Sequence, residues 1–141
     1  MRRILLIFII NLISMSVIAQ SLDSHRWKNR IVLIFHTTET TETFDQQTEI
    51  LQSDIDALKE RDIVVYSIGS NELLKNFDEK IEGKVLAWKR KWRVNESFAF
   101  LLIGKDGGVK MRETAIVSLQ KLNSKIDAMP MRQSEMRKNK Y

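Results

Sequence analysis

The stretch from Phe98 to Arg112, FAFLLIGKDGGVKMR, constrains the fold more than any other. An apolar run, a Gly-Lys-Asp-Gly-Gly break and a short return read as strand, tight turn, strand. Asp106-Gly107 supplies the positive φ angles that a hairpin turn needs. On the return, Lys110 and Arg112 alternate to one side, as suits the edge of a sheet. Lys105-Asp106-Gly107-Gly108 is not a phosphate loop, because it joins strand to strand and opens no helix.

Two earlier runs supply the rest of the sheet. In Arg30 to His36, five consecutive apolar residues rich in β-branching read as a strand buried on both faces, at the centre of a mostly parallel sheet. Asp62 to Ile68 is a second strand of the same kind. Between them, Phe44, Leu51, Ile55 and Leu58 fall on one stripe at helical spacing, which predicts a helix from about Phe44 to Glu60. Thr41 or Thr43 is its expected N-cap. Strand, helix, strand makes a right-handed βαβ unit. A short helix is expected over Asn71 to Glu82, with Leu73, Leu74, Phe77 and Ile81 inward. Helical turns then continue over Lys84 to Arg93, with Val85, Leu86 and Trp92 as core candidates. Ser118 caps a last helix from Leu119 to Ala128, burying Leu119, Leu122 and Ile126, and Pro130 stops it. The order β-α-β-α-β-β-α is the thioredoxin arrangement: a central four-stranded mixed sheet in the order 2-1-3-4, flanked by helices.

The ends of the chain are separate matters. Met1-Arg2-Arg3, the apolar run Ile4 to Ile13 and the small residues before Ala19 read as a secretory signal peptide, residues 1–19, cleaved after Ala19. The run is shorter than the roughly 20 apolar residues that span a bilayer, so no stable membrane anchor is expected after cleavage. The domain is expected to occupy residues 20–130. Residues 131–141 read as a basic, solvated tail, although Met131 and Met136 are able to dock on the domain. The formal net charge is +5, but the body from Gln20 to Pro130 balances 17 Lys and Arg against 17 Asp and Glu. No nucleic-acid partner is expected of a neutral body. Trp88 to Arg93 alternates aromatics with cations, which reads as a helix C-terminus complementing its dipole.

The chain has no cysteine. This excludes thiol nucleophiles, dithiol redox, peroxidatic chemistry by a thiolate, Cys-ligated zinc and iron–sulfur clusters. In thioredoxin-like enzymes the reactive group follows the first strand, at a helix N-terminus. Here that place is His36 to Thr43, and a Thr hydroxyl there needs a base, an orienting carboxylate and an oxyanion site. Val94 to Phe98 also lacks the proline that precedes the third strand in redox thioredoxins. His25 and His36 are not at metal-ligand spacing. Met111, Met129, Met131 and Met136 are soft ligands of the kind Cu(I) takes, and equally the residue type that fills cores. No cofactor and no metal site is assigned.

Three segments carry a family resemblance. Trp27 to Phe35, the LIGKDGGVK core of the hairpin, and Ile126-Asp127-Ala128-Met129-Pro130-Met131-Arg132-Gln133 resemble domain of unknown function 4174, the prokaryotic branch of the DUDES family of thioredoxin-like domains, whose relatives occur in animal extracellular-matrix and sushi-repeat proteins. The resemblance covers nearly all of the chain after the signal. It implies a thioredoxin-like fold related to peroxiredoxins, in exported proteins, periplasmic or extracellular. Its motif positions here are Lys105 to Gly108, Lys110, Arg112, Asp127 and Met129 to Arg132. Asp127 is expected to pair with Arg112 or Arg132. Lys105, Lys110, Arg112, Arg132 and Asp127 form the candidate binding site for an anion or a partner. The function expected is a non-catalytic interaction module for a protein or extracellular component. The alternative is a cysteine-independent enzyme or anion-binding protein using Lys105, Arg112, Arg132 and Asp127.

Overall fold

The computed structural model describes residues 22–140, so the signal segment lies outside the described residues. A six-stranded mixed sheet runs β4-β3-β2-β1-β5-β6. Its strands are β1 (Arg30–His36), β2 (Ile63–Ile68), β3 (Leu73–Lys75), β4 (Glu79–Lys80), β5 (Phe98–Ile103) and β6 (Val109–Glu113). The expected 2-1-3-4 order is its central part, and two short strands extend one edge. β1 and β2 are parallel, with Arg30 opposite Ile63, and β1 and β5 are antiparallel, with Ile31 opposite Ile103.

β1 shows why five apolar residues stand in a row. Ile31, Leu33 and Phe35 enter one core with Tyr66, Leu101 and Trp88, while Val32 and Ile34 enter another with Leu51, Leu58, Phe100 and Leu122. Successive side chains of a strand point to opposite faces, so an unbroken apolar run demands cover on both sides. That cover comes from α1 (Thr41–Gln52), α2 (Ile55–Glu60) and α4 (Leu119–Asp127) on one face and α3 (Val85–Trp92) on the other. No helix among the described residues is long and apolar enough to cross a membrane.

Four local expectations are corrected. The single helix over 44–60 is two, because the Asp54 carboxylate accepts the Ala57 N–H at 2.9 Å and starts a new helix. A 3-10 turn, Thr38–Thr40, precedes α1, and Thr40 takes the N-cap position. The region 71–82 is the β3–β4 hairpin, not a helix. Asn76 and Phe77 have φ of 48° and 80°, a left-handed pair that no continuing helix tolerates. In α3 the buried residue is Trp88, 1 % exposed, whereas Leu86 is 57 % exposed. Residues 85, 88 and 92 share one face at 100° per residue, and 86 points away from it.

The largest correction is at the C-terminus. Pro130 does not end the structure; it is the first residue of a further helix, α5 (Pro130–Lys138), where its missing N–H costs nothing. The segment read as a solvated tail folds back on the domain. Only Arg132 of α5 is buried, so charge rather than apolar area docks this helix.

Candidate functional site

Parallel β1 and β2 begin at the same end of the sheet where antiparallel β5 finishes. That topology gathers Arg30, Asp62 and Lys105. α2, α4 and α5 contribute Glu60, Arg61, Asp127, Arg132 and Glu135 to the same end. Lys105 donates to Glu135 at 2.7 Å and to Asp62 at 2.8 Å. Arg30, 1 % exposed, donates to both oxygens of Glu135 at 3.2 and 3.3 Å and to the Arg61 carbonyl at 3.0 Å. Arg61 clasps Asp127 through two bonds of 3.0 and 2.7 Å. Arg132 donates to Asp127 at 3.1 Å and to the Glu60 carbonyl at 3.1 Å, and pairs with the Glu60 carboxylate.

Burial alone pushes the Glu135 carboxyl up. Hydrogen bonds from Lys105 and Arg30, with their charges, outweigh this and leave it below the ordinary carboxylate range. Asp127 behaves alike: burial raises it, and Arg61 and Arg132 bring it below its usual value. The Arg132 guanidinium loses solvent, but its bonds to Asp127 and Glu60 hold its proton more firmly than usual. The network contains four cations, Arg30, Arg61, Lys105 and Arg132, and four carboxylates, Glu60, Asp62, Asp127 and Glu135. It is electrically closed.

The five candidate residues separate into three groups. Lys105, Asp127 and Arg132 meet in this network. Lys110 pairs with Asp106 across the hairpin turn at 2.8 Å. That pair lies over Gly104, where an added Cβ would come within 2.5 Å of Lys110 Cε and 2.8 Å of Asp106 Oδ1. Gly107, at φ 85°, supplies the turn's left-handed position. Arg112 stands apart, donating to the Trp92 carbonyl, so of the two partners expected for Asp127 only Arg132 is one. Lys105 and Lys110 do share a groove of about 440 Å³, floored by Ala128, Met129, Pro130 and Met131 and bordered by Lys125. Met129 and Met131 thus lie together, but Met111 is enclosed in the core and Met136 is five residues further along α5.

The place occupied by the reactive group in thioredoxin-like enzymes is at the opposite end of the sheet. Thr40 donates its hydroxyl to the Ser97 carbonyl at 2.8 Å, and Thr41 donates to the Thr38 carbonyl at 2.9 Å. Both hydroxyls are bound to the backbone rather than poised for attack. The His36 ring stacks on Phe44 with centroids 3.7 Å apart. Burial lowers its pKa, and Asp45 and Glu72 only partly offset that. A cavity of about 360 Å³ lined by His36, Thr41 and Glu72 opens here, separate from the groove beside Lys105.

Arg30, Arg61 and Glu135 were not among the sequence candidates. Arg30 and Arg61 sit at the ends of elements, where a charge reads as ordinary solvated flank, and Glu135 lies within the segment read as a solvated tail. Arg30 lies within a family motif and Glu135 two residues beyond another, whereas Arg61 carries no such signal.

The model of the family described as Domain of unknown function (DUF4174) matches residues 21–135. The chain belongs to this family. The match runs through Glu135, the residue that closes the ion network. A search of curated proteins finds no match. Among solved structures, reduced 2-Cys peroxiredoxin from Plasmodium vivax is similar, with a TM-score of 0.59, 17% identity, and 82% of this chain and 84% of that chain covered. The mitochondrial 2-Cys peroxiredoxin from Plasmodium falciparum is similar at a TM-score of 0.53 and 13% identity, covering 82% and 83%. StoA from Bacillus subtilis follows at 0.51 and 11%, covering 69% and 81%. These likenesses establish the thioredoxin-like fold of this DUF4174 chain, which holds no cysteine.

Proposed function

We propose that this DUF4174 chain is an exported, non-catalytic binding module that engages a protein partner outside the cytoplasm. The observation that carries the reading is the contrast between the two ends of the sheet. At the end where thioredoxin-like enzymes react there is no thiol, and the Thr40 and Thr41 hydroxyls are committed to backbone carbonyls. At the other end, a network of ion pairs around the buried Arg30, Lys105 and Arg132 backs an open groove lined in part by Ala128, Met129, Pro130 and Met131. A groove whose wall is held in place by ion pairs loses less conformational freedom on binding. Export is supported by the sequence of the first nineteen residues. The alternative, an anion-binding enzyme built on Lys105, Arg112, Arg132 and Asp127, has less support. Arg112 lies elsewhere, and the cations of the network are already neutralised.

Three measurements test this. Mass spectrometry of the expressed protein is expected to find Gln20 as the mature N-terminus. The purified chain is expected not to turn over peroxide or disulfide substrates. A photo-crosslinking side chain at Met131 is expected to give protein adducts in extracytoplasmic fractions that one at Ser70, beside His36, does not. Turnover, or equal labelling at the two positions, overturns the reading.

A further inference from the structure

We infer that the occupant of the Lys105–Met131 groove is an extended acidic segment of a partner protein, with alternating carboxylate and apolar side chains, lying across the hairpin turn. The inference rests on the binding-module reading. Gly104 lines two depressions, the groove of about 440 Å³ on one side and a cavity of about 220 Å³ on the other, so the turn is a ridge between them. The groove floor offers four successive residues without a charge, Ala128 to Met131, and Met131 is 40 % exposed. Lys125 on its border has no ion-pair partner among the described residues. Across the ridge, Arg26 and Lys91 line the second cavity, and neither has an ionic partner there; Asp23 is the one carboxylate beside them.

Arg26 lies over the Trp27 ring and Lys91 over the Trp92 ring. Asp106 and Lys110 of the groove lining offset each other, and Arg26, Lys91 and Lys125 against Asp23 leave the charge around the ridge net cationic. An acidic segment complements it, and apolar side chains of that segment fit the methionine floor. Exposed ion pairs contribute little individually. The apolar contact supplies affinity, and Arg26, Lys91 and Lys125 select for acidity and speed the encounter. Alternation matters because neighbouring side chains of an extended segment face opposite ways, so one parity enters the groove while the other meets the rim.

The test uses the full chain and fluorescence anisotropy with a short labelled peptide of alternating glutamate and leucine, against counterparts of glutamine–leucine and of glutamate alone. The glutamate–leucine peptide is expected to bind at least about tenfold more tightly than either counterpart. Lys125→Glu and Met131→Asp are expected to weaken it about tenfold, with Lys80→Glu, beside His36, as a silent control. Lys125→Gln, a change on an exposed helical position, keeps the test informative if a reversal disturbs folding, and thermal melts check every variant. Equal affinity for the glutamine counterpart overturns the inference. So does unaltered binding by Lys125→Gln and Met131→Asp, or a sulfated polysaccharide that competes as well as the peptide. If crosslinking at Met131 yields a protein adduct while the peptide does not bind, the acidic-segment inference fails and the binding-module reading survives. If Met131 crosslinks no more than Ser70, both fail.

Discussion

Glu135 and Lys105, thirty residues apart in sequence, meet at 2.7 Å where β5 ends. The same carboxylate holds Arg30 at the start of β1. One acidic side chain of α5 therefore satisfies two buried cations of the sheet. Removing it is expected to cost about 3 kcal/mol, chiefly because buried Arg30 loses the one carboxylate it pairs with, while Lys105 keeps Asp62. Urea unfolding of Glu135→Ala measures this. Adding Arg30→Met to the same chain is expected to recover a large part of the loss, because Arg30 pairs with Glu135 alone, whereas Lys105 keeps Asp62 at 2.8 Å.

Arg132 uses its guanidinium plane on three groups at once: the Asp127 carboxylate, the Glu60 carbonyl and the Glu60 carboxylate. Arg132→Lys keeps the charge but not the fork. It is expected to lose nearly as much stability as Arg132→Ala, about 3 kcal/mol or more. Thermal unfolding is expected to show Tm lowered by about 10 °C in both.

Gln47 is fully buried and exchanges two hydrogen bonds with the backbone of Val117, at 2.9 and 2.7 Å. The amide acts as a strand partner for a loop that has none. Gln47→Leu is expected to leave a buried N–H and carbonyl unpaired and to cost about 2–4 kcal/mol. Hydrogen exchange at the Val117 amide is expected to rise before global unfolding does.

Acid destabilisation is expected in two stages. His36 has a pKa below its ordinary 6.5 because burial disfavours the charged ring. The unfolded chain therefore binds this proton first, and stability begins to fall as pH drops below about 6.5. His36→Leu removes that stage. Glu135 and Asp127 are also held below their ordinary values. Their contribution is complete above the unfolded carboxylate pKa and is lost as pH falls through the folded one, a second and steeper stage below about pH 5. Glu135→Gln reduces it. Urea midpoints measured across the pH range distinguish the two stages.

Much of the fold was legible because it depends on period. The unbroken run Ile31 to Phe35 implied a strand covered on both sides, and the two cores divide its side chains by parity. Asp106-Gly107 marked the hairpin, although only Gly107 takes a positive φ there. The β3–β4 hairpin was missed because Leu73, Leu74, Phe77 and Ile81 happen to fit a helical stripe, while the left-handed pair Asn76-Phe77 decides otherwise. In the site, the Asp127–Arg132 pair was legible as neighbours on one short segment. Arg30, Arg61 and Glu135 were not, because an ion network joins residues from separate elements, and no sequence period links them. α5 escaped notice for a related reason. A helix docked by charge has no apolar stripe to reveal it.

That manner of docking bears on the order in which the molecule becomes itself. The other helices pack through apolar side chains such as Leu51, Leu58, Trp88 and Leu122. α5 brings the counter-charge for Arg30, which stands more than a hundred residues ahead of Glu135. Until that helix arrives, the start of the central strand holds a buried cation without its carboxylate, so the docking of α5 and the settling of that end of the sheet become a single event.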